Sequence, residues 1–585
     1  MKFSSLGRLF LALAAATTSA SASAVRNSTY YNPVLPGWHS DPSCAQVDGI
    51  FYCVASTFIS FPGLPIYASR DLLNWKLISH AWNRDSQIPG ISWDTTGQQE
   101  GMYAATIRHH DGLFYVICEY LGAGREHDTG VVFKSPDAIE WSDPITFEVD
   151  FIDPDLFWDD GKAYVATQSV FLQEINLDTG ELTQPPISLW NGTGGVWPEG
   201  PHLYKKDGWY YLMIAEGGTE RDHSVTIARS RKLKGPYEAY EKNPILTNRD
   251  TDEYFQTVGH ADLFQDTEGN WWGVALATRS GPEFEVYPMG RETVLFPVTW
   301  EENSWPILEP VRGKMTGWPL PPLNRDHLPG DGPFNSDDDV YDFRKGTPIP
   351  RNLVHWRVPR DGAFTTTNKG LQIVPSRNNL TGTPFSKDTP ELSGQQGLAF
   401  IGRRQTDSLF SFSVDLDFNP KAVGQEAGVT VFLTQVNHID LGVVLLDHEE
   451  GKCNKKKNKK TQLSLRFRAE GQTEKLPESN IVPVPSDWAG KKIRLEIETV
   501  NATHYSLAAS PVNKPHSKLV VGTASAEVVS GGNGSFVGSL VGAYATCNGA
   551  GSGVACPKGG DAYFNRWRYT GKGQYVSATE LITDS

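Results

Sequence analysis

The chain of 585 residues is too long for a single hydrophobic core, so two or three domains are expected. It carries 17 Trp, 21 Tyr and 27 Phe beside 56 Gly and 38 Pro, a profile of many short strands and turns or of sugar-stacking surfaces. The net charge of −15 argues against nucleic acid and anionic membrane as partners.

The first predicted element is a targeting segment. Lys2 and Arg8 precede the apolar run Leu9 to Ala16, and Ala22-Ser23-Ala24 is a small-residue cleavage site. Residues 1–24 therefore read as a signal peptide, and the rest as a secreted, extracellular protein beginning near Val25. The run is too short to span a bilayer, and no later stretch qualifies. Asn-x-Ser/Thr sites at Asn27, Asn191, Asn379, Asn501 and Asn533 agree with export. In an oxidising compartment Cys44 and Cys53 flank one turn and are placed to pair. Cys547 and Cys556 bracket a Gly-rich loop and are placed to close it. Cys118 reads as a buried thiol, and Cys453 lies in a polar loop.

From about residue 30 one phrase occurs five times. An acidic residue and Gly49, Gly112, Gly161, Gly208 or Gly269 are followed three residues later by Tyr52, Tyr115, Tyr164, Tyr211 or Trp272. Each acidic-Gly pair predicts a tight turn, and each aromatic a strand behind it. The glycines lie 47 to 63 residues apart, a period that with strands alone predicts a five-bladed β-propeller over residues 25–320. Ser69-x-Asp71 with Trp75, and Ser135-x-Asp137 with Trp141, read as one outer turn in successive blades.

Seven or eight residues upstream of each acidic turn residue stand Asp41, Ala104, Asp153, Glu199 and His260. If that strand is innermost, four polar groups point into one funnel at the axis. Asp155 is a rival to Asp153, and the repeat phase selects Asp153. Charges near an axis are costly to bury unless they are used.

A Pro-, Gly- and Asp-rich passage over 311–340 supplies a linker, assigned to 321–340. Residues 341–585 then alternate apolar with polar positions, as in Ser411 to Phe418 and Lys492 to Thr499, which predicts a β-sandwich. The six lysines between Lys452 and Lys460 read as a solvated hairpin tip.

Glycosidic bonds are cleaved by two carboxyl groups, one protonated toward the leaving oxygen and one ionised. A third carboxylate nearby holds the acid's pKa up. Asp41, Asp153 and Glu199 supply those parts.

The runs HSDPS (39–43), FIDPDLFWDDG (151–161), EGPHLYKKDGWYYL (199–212), GHADLF (259–264) and GRET (290–293) resemble glycoside hydrolase family 43, which contains β-xylosidases and α-L-arabinofuranosidases. IGRRQ (401–405), VDLDFNP (414–420) and GAYATCNG (542–549) resemble the concanavalin-like β-sandwich that follows the catalytic domain in many members. The resemblance covers nearly the whole mature chain. It implies inverting hydrolysis with Asp41 as general base, Glu199 as general acid, and Asp153 raising and orienting the acid. Base and acid are then expected about 6.5–9.5 Å apart. It further implies sugar contacts from Phe58, Tyr103, His260 and Arg291. No cofactor is required, although family members often hold an ion such as calcium beside the residue matching His260. The implied partner is plant hemicellulose: arabinoxylan, xylan or arabinan.

Tyr103-Ala104-Ala105 stands where β-xylosidases usually read Trp-Ala-Pro. Ser40 replaces a common Pro, and Ile59-Ser60 a frequent Glu-Trp. These departures are expected around the sugar pocket and shift the expected product toward α-L-arabinofuranose, with β-D-xylose as the alternative. A non-catalytic sugar-binding propeller would not need three phased carboxylates. Retaining five-bladed fructosidases carry Asn-Asp-Pro-Asn-Gly and Arg-Asp-Pro motifs, and neither occurs here.

Overall fold

In the computed structural model each of the five acidic-Gly turns closes a β-hairpin. The description covers residues 28–91, 95, 97–122, 128–149, 151–382, 397–448, 460–473, 476–532, 535–552 and 555–583. The expected signal peptide, Asn27, Asn533, Cys453 and the lysine run short of Lys460 lie outside it. In four turns both central residues have positive φ, as in Asp48 (50°) and Gly49 (78°) or Asp207 (53°) and Gly208 (71°). That geometry matches the twist of the flanking strands and suits Asp-Gly. The aromatics behind the turns are all buried.

Residues 43–308 form five four-stranded antiparallel sheets. Their first strands are Ser43–Val47, Gly101–His110, Asp155–Asp159, Glu199–Lys206 and Phe255–Gln265. Each of these neighbours the next, and the fifth neighbours the first, so the five sheets close into a ring. The chain ends of this region also meet. Thr29–Tyr31 pairs with Lys314–Thr316, and Leu35 bridges Thr293 on the fifth sheet. The two Ser-x-Asp turns share one geometry, with Asp71 Oδ1 and Asp137 Oδ1 each accepting from a Ser Oγ and two backbone amides.

The passage between the two regions is pinned rather than free. Phe334 bridges Lys76 on the first sheet, and the Leu77 amide donates to Pro333 O at 3.0 Å. Asp339–Tyr341 then enters a nine-stranded sheet that packs against a six-stranded one. Strand Leu409–Phe418 buries alternate positions from Phe410 to Leu416, as the alternating sequence predicts for a half-wet sheet. Strand Glu426–Thr434 is buried along its whole length at the centre of the other sheet. Disulfides join Cys44 to Cys53 and Cys547 to Cys556, and Cys118 is a buried free thiol.

The seam between the regions is extensive. His355–Trp356 pairs with Ser60–Phe61. Arg279 binds Glu292 through two nitrogens, at 2.6 and 2.9 Å, and reaches Ser408 Oγ, Gln574 Oε1 and Tyr575 O across the seam. At Gly290 a Cβ would lie 2.2 Å from Val537 O, and at Gly538 one would lie 2.2 Å from Met289 O. Glycine at both positions lets the two backbones touch, which delivers Phe536 to the ring.

Candidate active site

One backbone feature recurs at the ring's centre. Asp41, Ala104, Asp153, Gly200 and His260 all adopt left-handed backbone, with φ between 37° and 60°. The conformation costs a non-glycine residue about 1–2 kcal/mol, and such outliers cluster at functional sites. The register in the fourth sheet differs from the sequence expectation. Gly200, not Glu199, occupies the repeated position, and Glu199 precedes it by one residue. A Cβ at Gly200 would come within 3.1 Å of the His260 ring, so any larger residue would crowd that imidazole. The pairing register shifts between Glu199 and His202, a bulge that re-aims the strand's first side chain.

The strands converge on a cavity of about 600 Å³. Its lining includes Asp41, Asp153, Glu199, Tyr103, His260 and Arg291, so six of the seven expected site residues meet there. Asp41 is 5% exposed; its Oδ1 accepts from Arg291 Nη1 at 3.1 Å and its Oδ2 from Ser56 Oγ at 2.7 Å. Asp153 Oδ2 accepts from the Gly200 amide at 3.0 Å. His260 Nδ1 stands 3.9 Å from both Asp41 Oδ1 and Asp153 Oδ2. Glu199 is half-buried and accepts from Gln168 Nε2 at 3.2 Å.

These surroundings split the carboxyls. Burial alone would raise Asp41, but Arg291, His260 and Ser56 outweigh it and hold the group below the ordinary carboxylate range. Glu199 goes the other way, pushed up to about 7 by burial and then by the charge of Asp41. Asp153 is also pushed up to about 7, first by burial, against the pull of His260, and then by Glu199 and Asp41. The like charge that lifts Glu199 is thus mainly that of Asp41. Asp153 and Glu199 titrate as an interacting pair. Close to neutral pH the site holds one firmly ionised carboxylate facing carboxyls that retain protons, the division that acid–base cleavage of an acetal needs.

Phe58 is a correction. It is 0% exposed and absent from the cavity wall. Its ring stacks on Trp38 and Phe536 and meets Tyr103 edge-on at 4.7 Å. It is packing behind the wall, because the second region covers it. Ile59 and Ser60, expected beside the pocket, are likewise buried in the seam.

Two aromatics at the cavity escape sequence reasoning, Trp197 and Phe536, and the carbonyl of Phe536 accepts from Arg291 Nε and Nη2. No signal in the repeat points to Phe536, since it comes from the other region. His223 was also missed. Its Nδ1 donates to Thr257 O at 2.9 Å, which leaves Nε2 as a buried lone pair without a partner among the described residues. Burial pushes His223 down to about 3.

Below His260 the axis is filled by the chain itself. Arg108 Nη1 donates to Asp262 Oδ2 at 2.7 Å and Nη2 to Asp155 Oδ2 at 2.8 Å, with His202 Nδ1 on the same Asp155 oxygen. Asp155 is therefore committed to an ion pair. Calcium takes six to eight oxygen ligands. The carboxylates beneath His260 are already neutralised by a guanidinium, and those beside it belong to the cavity. Among the described residues no group of three His, Cys, Asp or Glu side chains is placed to hold a metal ion. The residues around His260 do not fit a calcium cage.

Residues 30–306 match the family described as "Glycosyl hydrolases family 43", and residues 341–570 match "Beta xylosidase C-terminal Concanavalin A-like domain". The chain is 34% identical over 533 residues to a non-reducing end α-L-arabinofuranosidase of Bacteroides ovatus, covering 89% of this chain and 92% of that protein. It is 32% identical to a xylosidase/arabinosidase of Butyrivibrio fibrisolvens, covering 90% and 97%. The solved structure of Bacteroides ovatus xyloglucan PUL GH43B superposes with a TM-score of 0.77 at 31% identity, covering 93% of this chain and 99% of that one. A xylan β-1,4-xylosidase of Bacillus halodurans gives 0.76 at 25% identity, covering 92% and 99%.

Proposed function

Because the chain belongs to glycosyl hydrolase family 43 and is an O-glycosyl hydrolase, we propose that it is a secreted, inverting exo-enzyme that releases terminal α-L-arabinofuranose from hemicellulose. Release of β-D-xylose is the second reading, favoured by the xylosidase/arabinosidase relatives. We read the ring of sheets as a five-bladed β-propeller over 25–320, joined through 321–340 to a sandwich over 341–585. The leader at 1–24 and the Asn-x-Ser/Thr sites support export. Asn191 and Asn501 are exposed, which suits glycosylation.

The observation that carries the mechanism is the opposed tuning of Asp41 and Glu199 in one cavity. Asp41, kept ionised by Arg291 and fixed by Ser56, takes a proton from water as the water oxygen bonds to the anomeric carbon. Glu199, protonated near neutrality, gives its proton to the glycosidic oxygen as that bond breaks. Asp153 fixes the acid's segment through the Gly200 amide. It also titrates with the acid as a pair, so ionising one opposes loss of the proton from the other. Tyr103, Arg291 and His260 bind the terminal sugar, and the sandwich contributes Phe536 to the same wall. All the acid–base groups come from the chain.

The test is a nuclear magnetic resonance time course on defined arabinoxylan oligosaccharides and xylo-oligosaccharides. Inverted arabinose as the first product is expected. Retained configuration would overturn the role of Asp41, and absence of turnover from folded protein would favour a sugar-binding module.

A further inference from the structure

Two of the cavity's wall residues are large, apolar and outward. Trp197 is 64% exposed and Val196 61% exposed. Among the described residues no aromatic ring packs on Trp197. An exposed indole on a mobile loop would mean little, but this segment is held from both sides. The Gly217 amide donates to Val196 O at 2.8 Å, and the Ser169 amide to Pro198 O at 2.8 Å. Upstream, the buried Glu216 carboxylate accepts from the Thr193 amide at 2.8 Å, the Gly195 amide at 3.0 Å and Thr193 Oγ1 at 3.0 Å. Four bonds besides those of the sheets thus fix the backbone from 193 to 198.

Trp197 itself has φ 53°, a strained conformation for a bulky aromatic. The indole lies next to Gly218, where a Cβ would stand 3.8 Å from its Cδ1. A strained backbone held by a buried carboxylate thus presents one indole to solvent. A fixed backbone leaves less to order when a partner stacks on the ring.

The position of Trp197 selects the partner. It precedes the acid Glu199 by two residues. The acid protonates the leaving oxygen, so the sugar attached to that oxygen lies on the acid's side of the cavity. Asp41, Asp153 and His260 lie deep, at 5%, 6% and 7% exposure, around the sugar that is released, whereas Trp197 stands at the rim.

We propose that Trp197 is the stacking platform for the pyranose ring on the leaving-group side of the scissile bond. On this assignment the protein reads at least two sugars at a chain end, with the indole under the C–H face of the second. The proposal rests on the reading of the chain as an exo-glycosidase.

The experiment compares wild type with Trp197→Ala, Trp197→Asn and Trp197→Phe. Asn tolerates left-handed backbone and Phe keeps a ring. Substrates are an arabinofuranosyl-xylotriose and xylotriose, each beside the methyl glycoside of the same terminal sugar, which has no ring to stack. For Ala and Asn, kcat/KM on the oligosaccharide is expected to fall by about 5- to 10-fold more than on the methyl glycoside, with Phe retaining most of the difference. Equal losses on both substrates, or none on the oligosaccharide, would overturn the platform while leaving the glycosidase reading intact. Absence of wild-type turnover on all four substrates would overturn both.

Discussion

The Gly200 amide donates to Asp153 Oδ2 at 3.0 Å, and Glu199 is the residue immediately before it. A carboxyl just before the third sheet therefore holds the peptide that follows Glu199 on the fourth. The bond needs an amide aimed inward, which the left-handed Gly200 provides. The bond sets Asp153 beside Glu199, with which it titrates as a pair.

Replacing the acid separates two kinds of substrate. Glu199→Gln should lower turnover on natural oligosaccharides by several orders of magnitude. The loss should be much smaller on nitrophenyl glycosides, whose leaving group needs little protonation. Asp41→Asn should lower both to a similar degree. Steady-state kinetics on the two substrate types read this directly.

The pH dependence follows from the opposed shifts. Asp41 lies below its ordinary value of 3.8 and Glu199 near about 7. The kcat/KM profile should be a broad bell that falls on the alkaline side as Glu199 loses its proton. Asp153 and Glu199 titrate as a pair, so in Asp153→Asn the alkaline limb should move to lower pH and the rate should fall. An unchanged rate and profile would remove Asp153 from the mechanism.

Stability should answer to the same groups with the opposite benefit. Glu199 and Asp153 have raised folded-state pKa values, so the folded state binds more protons than the unfolded state between about pH 4 and pH 7. Stability from these sites is then lost as pH rises through that window. Relative to wild type, Glu199→Gln should raise Tm above pH 7 and change it little near pH 4. Calorimetry across pH measures this.

Arg108 plugs the axis between Asp155 and Asp262. Arg108→Met should destabilise the protein by about 3–5 kcal/mol, because it strands buried carboxylates. Arg108→Lys should restore only part, since one ammonium cannot span the sites that the guanidinium fork reaches. Denaturant titration would show the order.

Phe536→Ala should raise KM for the terminal sugar several-fold with little loss of fold, because Phe536 is half-buried at the cavity wall. An unchanged KM would confine the sandwich to a supporting role.

The amino-acid sequence by itself determined the hairpins, the alternation of the sandwich strands, both disulfides and the address of Asp41, Asp153 and His260. Each of these is encoded locally, in a turn residue, a period of two or a fixed offset from a repeated glycine. It also located Glu199, although through a register one residue out of step. Only the tertiary structure decided that Gly200 carries the left-handed turn, because the constraint is the His260 ring on a different strand. Only packing across the seam could bury Phe58 and bring in Phe536, which lies 245 residues from the Arg291 it binds. The charge balance of the axis was equally hidden, since Arg108 meets Asp262 across 154 residues. Periodicity records which way a side chain faces on its own strand. Which other chain segment meets it there is set by the closing of the ring and the docking of the sandwich.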